Sequence, residues 1–566
     1  MRFSEFPYER PSIEKVTTEI GTLLTEFKNA TSAETQSTLV KKINDIRSNF
    51  DSIQMIAHVR HTLDTTDPFY EEEYSFFNKN LPHFTDVETQ FFQALLETPF
   101  RSELEETFGK QFFKIAESKV KTFSPEVMEL LGEENRLTSD YQKLIASAVV
   151  PFKGEELTLS KLEKFVLDQD RDTRKRAIEA KFDYFSSKKE VYDELFDNLV
   201  KVRHEIATKL GFPSFTDLAY LRWARSGWDK ESAAAFRENV RNYLVPLVSK
   251  LVEGQRQRLG IDKVKVYDEK VQFESGNPVP QGDADWIVEQ GRQLYSELSE
   301  DTKNFYNEMT EKGLFDLLNK KGKANIGYCT YFAKEKVPFV FANFNGTSND
   351  VRVLIHEVGH AFQAYSTLKS QEIPEYFFPT MEGSEIFSMS MELFIFPWAH
   401  LFFKEDADKH RFFHLVDSLI KLPKMCVGDE FQEEVYANPS LTPEERRQLW
   451  SRLEKKYMPY RDNDQITHLE EGGAWQEIPH IYEVPFYYLD YALAQVCAFQ
   501  LWDKSTENWD DAWDTYVKLC KIGGSKSFTE LLEEGQLSSP FEEQTFIDLT
   551  SFLSEKMESL KVPVQQ

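Results

Sequence analysis

Apolar residues recur at intervals of three and four through most of this chain. Ile13, Val16, Ile20, Leu23, Leu24 and Phe27 form one such series, and Leu39, Ile43, Ile46 and Phe50 form another. That spacing lays apolar side chains along one face of an α-helix. Pro11 followed by Ser12 supplies a start for the first of these helices. The stretches 171–210 and 230–258 are charged on one side and apolar on the other, which again predicts helices. No segment repeats at a fixed period, so a solenoid is not expected.

Two regions break this pattern. Residues 149–159, Val-Val-Pro-Phe-Lys-Gly-Glu-Glu-Leu-Thr-Leu, predict a small hairpin around Gly154. Residues 327–333 and 338–344 are rich in aromatic and β-branched side chains and predict two strands of a small sheet. The turn-rich stretch 273–283 predicts a surface loop, because helical patterns resume on both sides of it. The expected architecture is mainly α, in two lobes: an N-terminal helical lobe over residues 1–200 and a second lobe over 201–566.

Composition narrows the partners. A formal charge of −28 argues against a nucleic acid, whose phosphates would be repelled, and against an anionic membrane surface. No apolar run approaches the ~20 residues needed to cross a bilayer, and the first residues, Met-Arg-Phe-Ser-Glu-Phe-Pro, do not resemble a secretory signal. Cys329, Cys426, Cys497 and Cys520 show no C-x-x-C pairing, so neither a zinc ribbon nor a disulfide framework is indicated. A cytoplasmic location is the expectation.

Candidate chemistry lies in residues 350–362, Asp-Val-Arg-Val-Leu-Ile-His-Glu-Val-Gly-His-Ala-Phe. Val351, Leu354, Ile355, Val358 and Phe362 keep helical periodicity, which places His356 and His360 one turn apart on one face. Two imidazoles so placed can meet one zinc ion, with Glu357 beside them as general base toward the attacking water. Gly359 inside a helix costs about 1 kcal/mol against alanine, a cost that close approach of another element would justify. Zinc needs a third protein ligand. Residues 381–394 also predict a helix, with Glu385, Ser388, Met389 and Glu392 along one stripe, but spacing does not choose among Glu382, Glu385 and Glu392.

At this point the chain resembles the oligoendopeptidase F and thimet oligopeptidase family of zinc peptidases, and within it a Pz-peptidase-like bacterial branch. The residues that carry the resemblance are Phe-Val-Phe-Ala-Asn-Phe-Asn-Gly-Thr (339–347), His-Glu-Val-Gly-His-Ala (356–361) and Glu-Ile-Phe-Ser-Met-Ser-Met-Glu (385–392). It continues in Gly-Gly-Ala-Trp (472–475), Pro-His-Ile-Tyr (479–482) and Pro-Phe-Tyr-Tyr-Leu-Asp-Tyr-Ala (485–492). The resemblance implies that Glu385 is the third ligand to a single Zn2+ and that Glu392 orients a ligand histidine. It also implies that His480 and Tyr491, then Tyr488, stabilise the oxyanion of a peptide bond under attack. A helical zincin with a small sheet beside the active-site helix and a deep substrate channel is the fold that follows.

Strand 339–344 is expected at a sheet edge beside the zinc, where Phe341, Ala342 and Asn343 would pair with a peptide backbone. Gly327 and Tyr328 are expected to line the same cleft. His410 and His414 also stand four apart, but an aromatic pair lies between them and Arg411 would repel a cation, so no second metal site is expected. The function expected is endopeptidase action on oligopeptides. A carboxypeptidase or dipeptidyl carboxypeptidase shares the same helical motif, and a non-catalytic peptide-binding module is the third reading.

Overall fold

A computed structural model of the chain describes residues 1–324 and 326–560. The helices begin where the local chemistry directs. Ser12 caps Ile13–Asn29 by accepting the Lys15 N–H, and Ser32 caps Ala33–Leu63 by accepting that of Thr35. The stretch 171–210 resolves into Arg171–Ser187 and Lys189–Lys209. The stretch 230–258 is helical throughout but loosens into a π-helical turn at Val240–Leu244, just ahead of Pro246, which has no N–H for the ladder.

The predicted hairpin is present as β1 (Val149–Phe152) and β2 (Glu155–Thr158), paired antiparallel. Lys153 and Gly154 between them have φ of 51° and 83°, the left-handed pair that a two-residue hairpin turn requires. A second sheet holds β3 (Phe315–Leu318), β4 (Tyr328–Phe332) and β5 (Val337–Phe344) in the order β3-β5-β4. β4 runs antiparallel to β5 and β3 runs parallel to it.

That order corrects one expectation. The strand expected at the edge, β5, is the central strand, hydrogen-bonded on both sides. Phe341 and Ala342 are wholly buried there, and their backbone is not open to a peptide. The near-continuous apolar run Val-Pro-Phe-Val-Phe-Ala is itself the pattern of a strand covered on both faces. The partner that makes β5 central, β3, is only four residues long and has no periodicity to announce it.

Among the described residues, two large hydrophobic cores and a small cluster of Ala333, Leu368 and Phe377 support these elements. The smaller core gathers residues between Ile20 and Ala116 together with Ile373 and Tyr376. The larger runs from Phe3 to Met557 and takes in residues of the helices between Met128 and Lys209. At its centre the helix Met381–Phe394, buried from Glu382 onward, packs against the helix Ser348–Ser370 and against Tyr488–Glu507. Among the described residues no single helix is long and apolar enough to cross a membrane.

Candidate metal centre

His356 and His360 lie on the helix Ser348–Ser370, and Glu385 projects from Met381–Phe394 where the two helices meet. A Cβ built on Gly359 would stand 2.6 Å from the Ser388 Cα and 2.9 Å from the Phe387 carbonyl oxygen. Only glycine permits this approach, so the backbone reason expected for Gly359 is present. The approach brings Glu385 Oε2 to 3.3 Å from His356 Nε2 and 3.4 Å from His360 Nε2. An ion with four tetrahedral bonds of about 2.0–2.1 Å sets its ligand atoms about 3.3–3.4 Å apart. The donor set therefore fits zinc in spacing as well as in kind. Among the described residues these three side chains form the one cluster with metal-ligating spacing.

The candidate ligands His356 and Glu385 are themselves held. Glu392 Oε1 accepts from His356 Nδ1 at 2.6 Å, which fixes the ring with Nε2 toward Glu385. The other oxygen of Glu392 lies 3.2 Å from His414 Nε2. His410, its neighbour one turn back, stacks on Phe403 with ring centroids 3.8 Å apart. Glu385 Oε2 accepts from Ser388 Oγ at 2.9 Å, and Tyr487 donates its hydroxyl to Glu385 Oε1. Burial would raise the Glu385 pKa, but the adjacent His360 and His356 imidazoles outweigh it and hold the carboxyl well below its usual range. Burial raises Glu357, against the pull of the two histidines and with the push of Glu385 and Glu392. A base so raised binds a proton more firmly than a solvated carboxylate would.

His356, Glu357, His480, Tyr488 and Tyr491 line one cavity of about 330 Å³. The His480 ring lies 5.0 Å from that of Tyr488 and 5.7 Å from that of Tyr491. Burial lowers the His480 pKa to about 4, so its ring is neutral at neutral pH and one of its nitrogens donates. Burial raises the Tyr488 and Tyr491 hydroxyls, and both stay protonated donors.

Two comparisons decide the class. Residues 3–123 match the Peptidase M3 N-terminal domain and residues 165–549 match Peptidase family M3. The chain belongs to peptidase family M3. Among solved structures, Pz peptidase A with an inhibitor superposes with a TM-score of 0.95 at 49% identity, covering 99% of this chain and 100% of that one. Oligopeptidase PepF of Bacillus subtilis (strain 168) is 24% identical over 81% of this chain and 72% of its own length. An oligoendopeptidase F homolog of Lactococcus lactis subsp. lactis (strain IL1403) is 21% identical over 87% and 84%. The M3 chain described here is a metalloendopeptidase with a mainly α zincin fold.

Within this M3 fold the remaining expected residues fall in different places. Asn343 donates from its side chain to the Ala324 and Ile326 carbonyls at 2.9 and 2.8 Å, bracing the segment that enters β4. Gly327 is exposed just before β4. Tyr328 stacks on Phe341 with centroids 4.9 Å apart, and its hydroxyl bonds Thr62. Next to it, Cys329 lies close enough to Glu357 that the carboxylate adds to burial in raising its thiol pKa. The helix that carries Glu357 packs against both β4 and β5. Tyr487 and His414 were missed as site residues. Tyr487 sits in the same aromatic cluster as Tyr488 and Tyr491, and nothing in spacing singled it out. His414 belongs to a pair that the sequence presents only as possible metal ligands, with no sign that it lies beside Glu392.

Proposed function

We propose that this M3 peptidase uses one zinc ion to cut internal bonds of short oligopeptides in the cytoplasm. The observation that carries the reading is the spacing of His356, His360 and Glu385, with His356 and Glu357 lining one cavity. Two imidazole nitrogens and a carboxylate oxygen suit zinc; magnesium and calcium prefer sites built of oxygen alone. A zinc ion held there supplies a Lewis acid that polarises the scissile carbonyl and brings the pKa of water to about 7.

Glu357 takes the proton of the attacking water and returns it to the departing amine. His480 and Tyr491, with Tyr488, donate to the carbonyl oxygen as negative charge builds on it, an interaction stronger in the transition state than in the bound peptide. The peptide backbone adds to the outer edge of β4, where the lining expected of Gly327 and Tyr328 and the nearness of Cys329 to Glu357 meet. Oligopeptides as substrates are supported by the names of the relatives, an oligopeptidase and an oligoendopeptidase F homolog. A narrow channel to the metal would exclude folded proteins and admit short, flexible chains.

The test is Glu357→Gln in protein loaded with one equivalent of zinc. Retained zinc with turnover reduced about 10²–10⁴-fold is expected; turnover like the unchanged protein's refutes the role of Glu357. Mass spectrometry of products from C-terminally amidated peptides tests the cleavage position. Internal cuts in amidated substrates are expected, and a strict need for a free carboxylate would mean carboxypeptidase action instead.

A further inference from the structure

The catalytic groups come from two pieces of chain, the crossing helices that carry the metal ligands and the turn that leads into Tyr488–Glu507. Residues 223–228 are hydrogen-bonded to both. Trp228 Nε1 donates to Glu382 Oε1 at 2.8 Å, one turn before Glu385 on the same helix. Trp223 Nε1 donates to the Pro485 carbonyl at 2.8 Å. Between them, Arg225 donates from one guanidinium nitrogen to the Phe486 carbonyl at 2.8 Å and to Asp490 Oδ1 at 2.7 Å. The side chains of Arg225 and Asp490 are both 0% exposed. The guanidinium carbon lies 4.3 Å from the Tyr220 ring centroid and 4.4 Å from that of Trp228, and these two adjoining rings pack against it.

What Arg225 holds is a conformation that needs holding. Phe486 has φ of 70°, in the left-handed region that a bulky residue enters only when its surroundings enforce it. Its N–H donates to Gln432 Oε1 at 3.0 Å, and its ring is buried against Tyr220 and Tyr436. Residues on either side of the bond to Asp490 face the site: Tyr487 donates to the ligand Glu385, and Tyr488 and Tyr491 line the catalytic cavity. A buried ion pair adds little net stability over apolar side chains of equal volume, so geometry is the better account of this one.

We propose that Arg225 is a positioning residue of the active site, which fixes the left-handed turn at Phe486 and so sets Tyr487 against Glu385 and Tyr488 and Tyr491 over the cavity. The proposal rests on the peptidase reading above, in which these tyrosines serve the metal and the oxyanion. Lysine keeps the charge but lacks the planar fork and the stacking surface, so Arg225→Lys should displace the turn without uncovering an unpaired carboxylate.

The experiment compares full-length, zinc-loaded wild-type protein, Arg225→Lys and Asp490→Asn for kcat, KM, zinc content and inhibition by a phosphinic peptide that mimics the tetrahedral state. In Arg225→Lys a displacement of about 1 Å should lower kcat about 100-fold with KM within threefold. Affinity for the phosphinic peptide should weaken in the same proportion as kcat/KM, which a loss of mere fold stability would not produce. A folded, zinc-loaded Arg225→Lys protein with kcat within threefold of wild type overturns the proposal. Should lysine prevent folding, Asp490→Asn carries the test, with about a tenfold loss of kcat expected and an unchanged kcat refuting it. Wild-type protein that cuts no peptide sinks the peptidase reading itself; active wild type with equally active variants sinks only the role of Arg225.

Discussion

Replacing Gly359 by alanine should damage the metal site more than the fold. The added Cβ would lie 2.6 Å from the Ser388 Cα, 2.9 Å from the Phe387 oxygen and 3.2 Å from the Met391 Cβ. Carbon atoms in contact settle at about 3.5–4.0 Å, so the two helices must part by about 1 Å at their crossing. Ser388 is one turn beyond Glu385, and its hydroxyl bonds the Glu385 carboxylate, so that carboxylate moves with it. His356 and His360 stay with the other helix. The spacings of 3.3 and 3.4 Å between Glu385 and the imidazoles then open well past the ~0.2 Å that metal bonds tolerate. Overpacking costs about 1–3 kcal/mol, and alanine regains about 1 kcal/mol of helix propensity. The metal-free fold should therefore lose only about 0–2 kcal/mol. Zinc affinity should fall at least ~10-fold, or about 1.4 kcal/mol, and peptide hydrolysis with it. Chelator-competition titration measures the affinity, and thermal melts of the metal-free proteins measure the fold. A folded Gly359→Ala protein that binds zinc and turns over peptide like wild type would refute the reasoning.

Other consequences follow from the same geometry. Glu392→Ala removes the acceptor that orients His356 and should weaken zinc binding about 10–100-fold; unaltered affinity in a competition titration would count against that role. Tyr487→Phe deletes a donor to the charged Glu385, a bond worth about 1.5–3 kcal/mol, and should lower zinc affinity or kcat by about one to two orders of magnitude. His480 has a folded pKa of about 4, depressed by burial. Its neutral form is therefore favoured by folding, and its contribution to stability is intact above the unfolded value of about 6.5 and is lost as pH falls toward 4. His480→Gln should accordingly lower kcat about 10²–10³-fold without moving the acid limb of the pH–rate profile. A limb near pH 6.5 that disappears in this variant would show that His480 titrates in the working range.

Periodicity is a local property, and what depends on it was legible in the chain. The series from Ile13 to Phe27 and from Leu39 to Phe50 became helices because side chains three and four apart share a face whatever lies opposite. The same rule put His356 and His360 on one face, and Gly359 signalled a close neighbour without naming it. Gly154 marked a hairpin because a tight turn constrains only its own residues.

Partner choice was not local. Glu382, Glu385 and Glu392 share one buried helix, and only a family resemblance selected among them in sequence; in the fold it is Glu385 that lies beside both imidazoles, close to where Gly359 meets Ser388. Strand β5 reads alike as an edge or a centre until the four-residue β3 pairs along the side opposite β4. Tyr487, Tyr488 and Tyr491 are near neighbours in sequence, yet one bonds a metal ligand and the others line the cavity. That division depends on the left-handed turn at Phe486 and on Arg225 from more than 250 positions away. Helical faces follow from bond geometry within a few residues, whereas ligand identity, strand position and hydroxyl direction are set by contacts that exist only once remote segments have packed together.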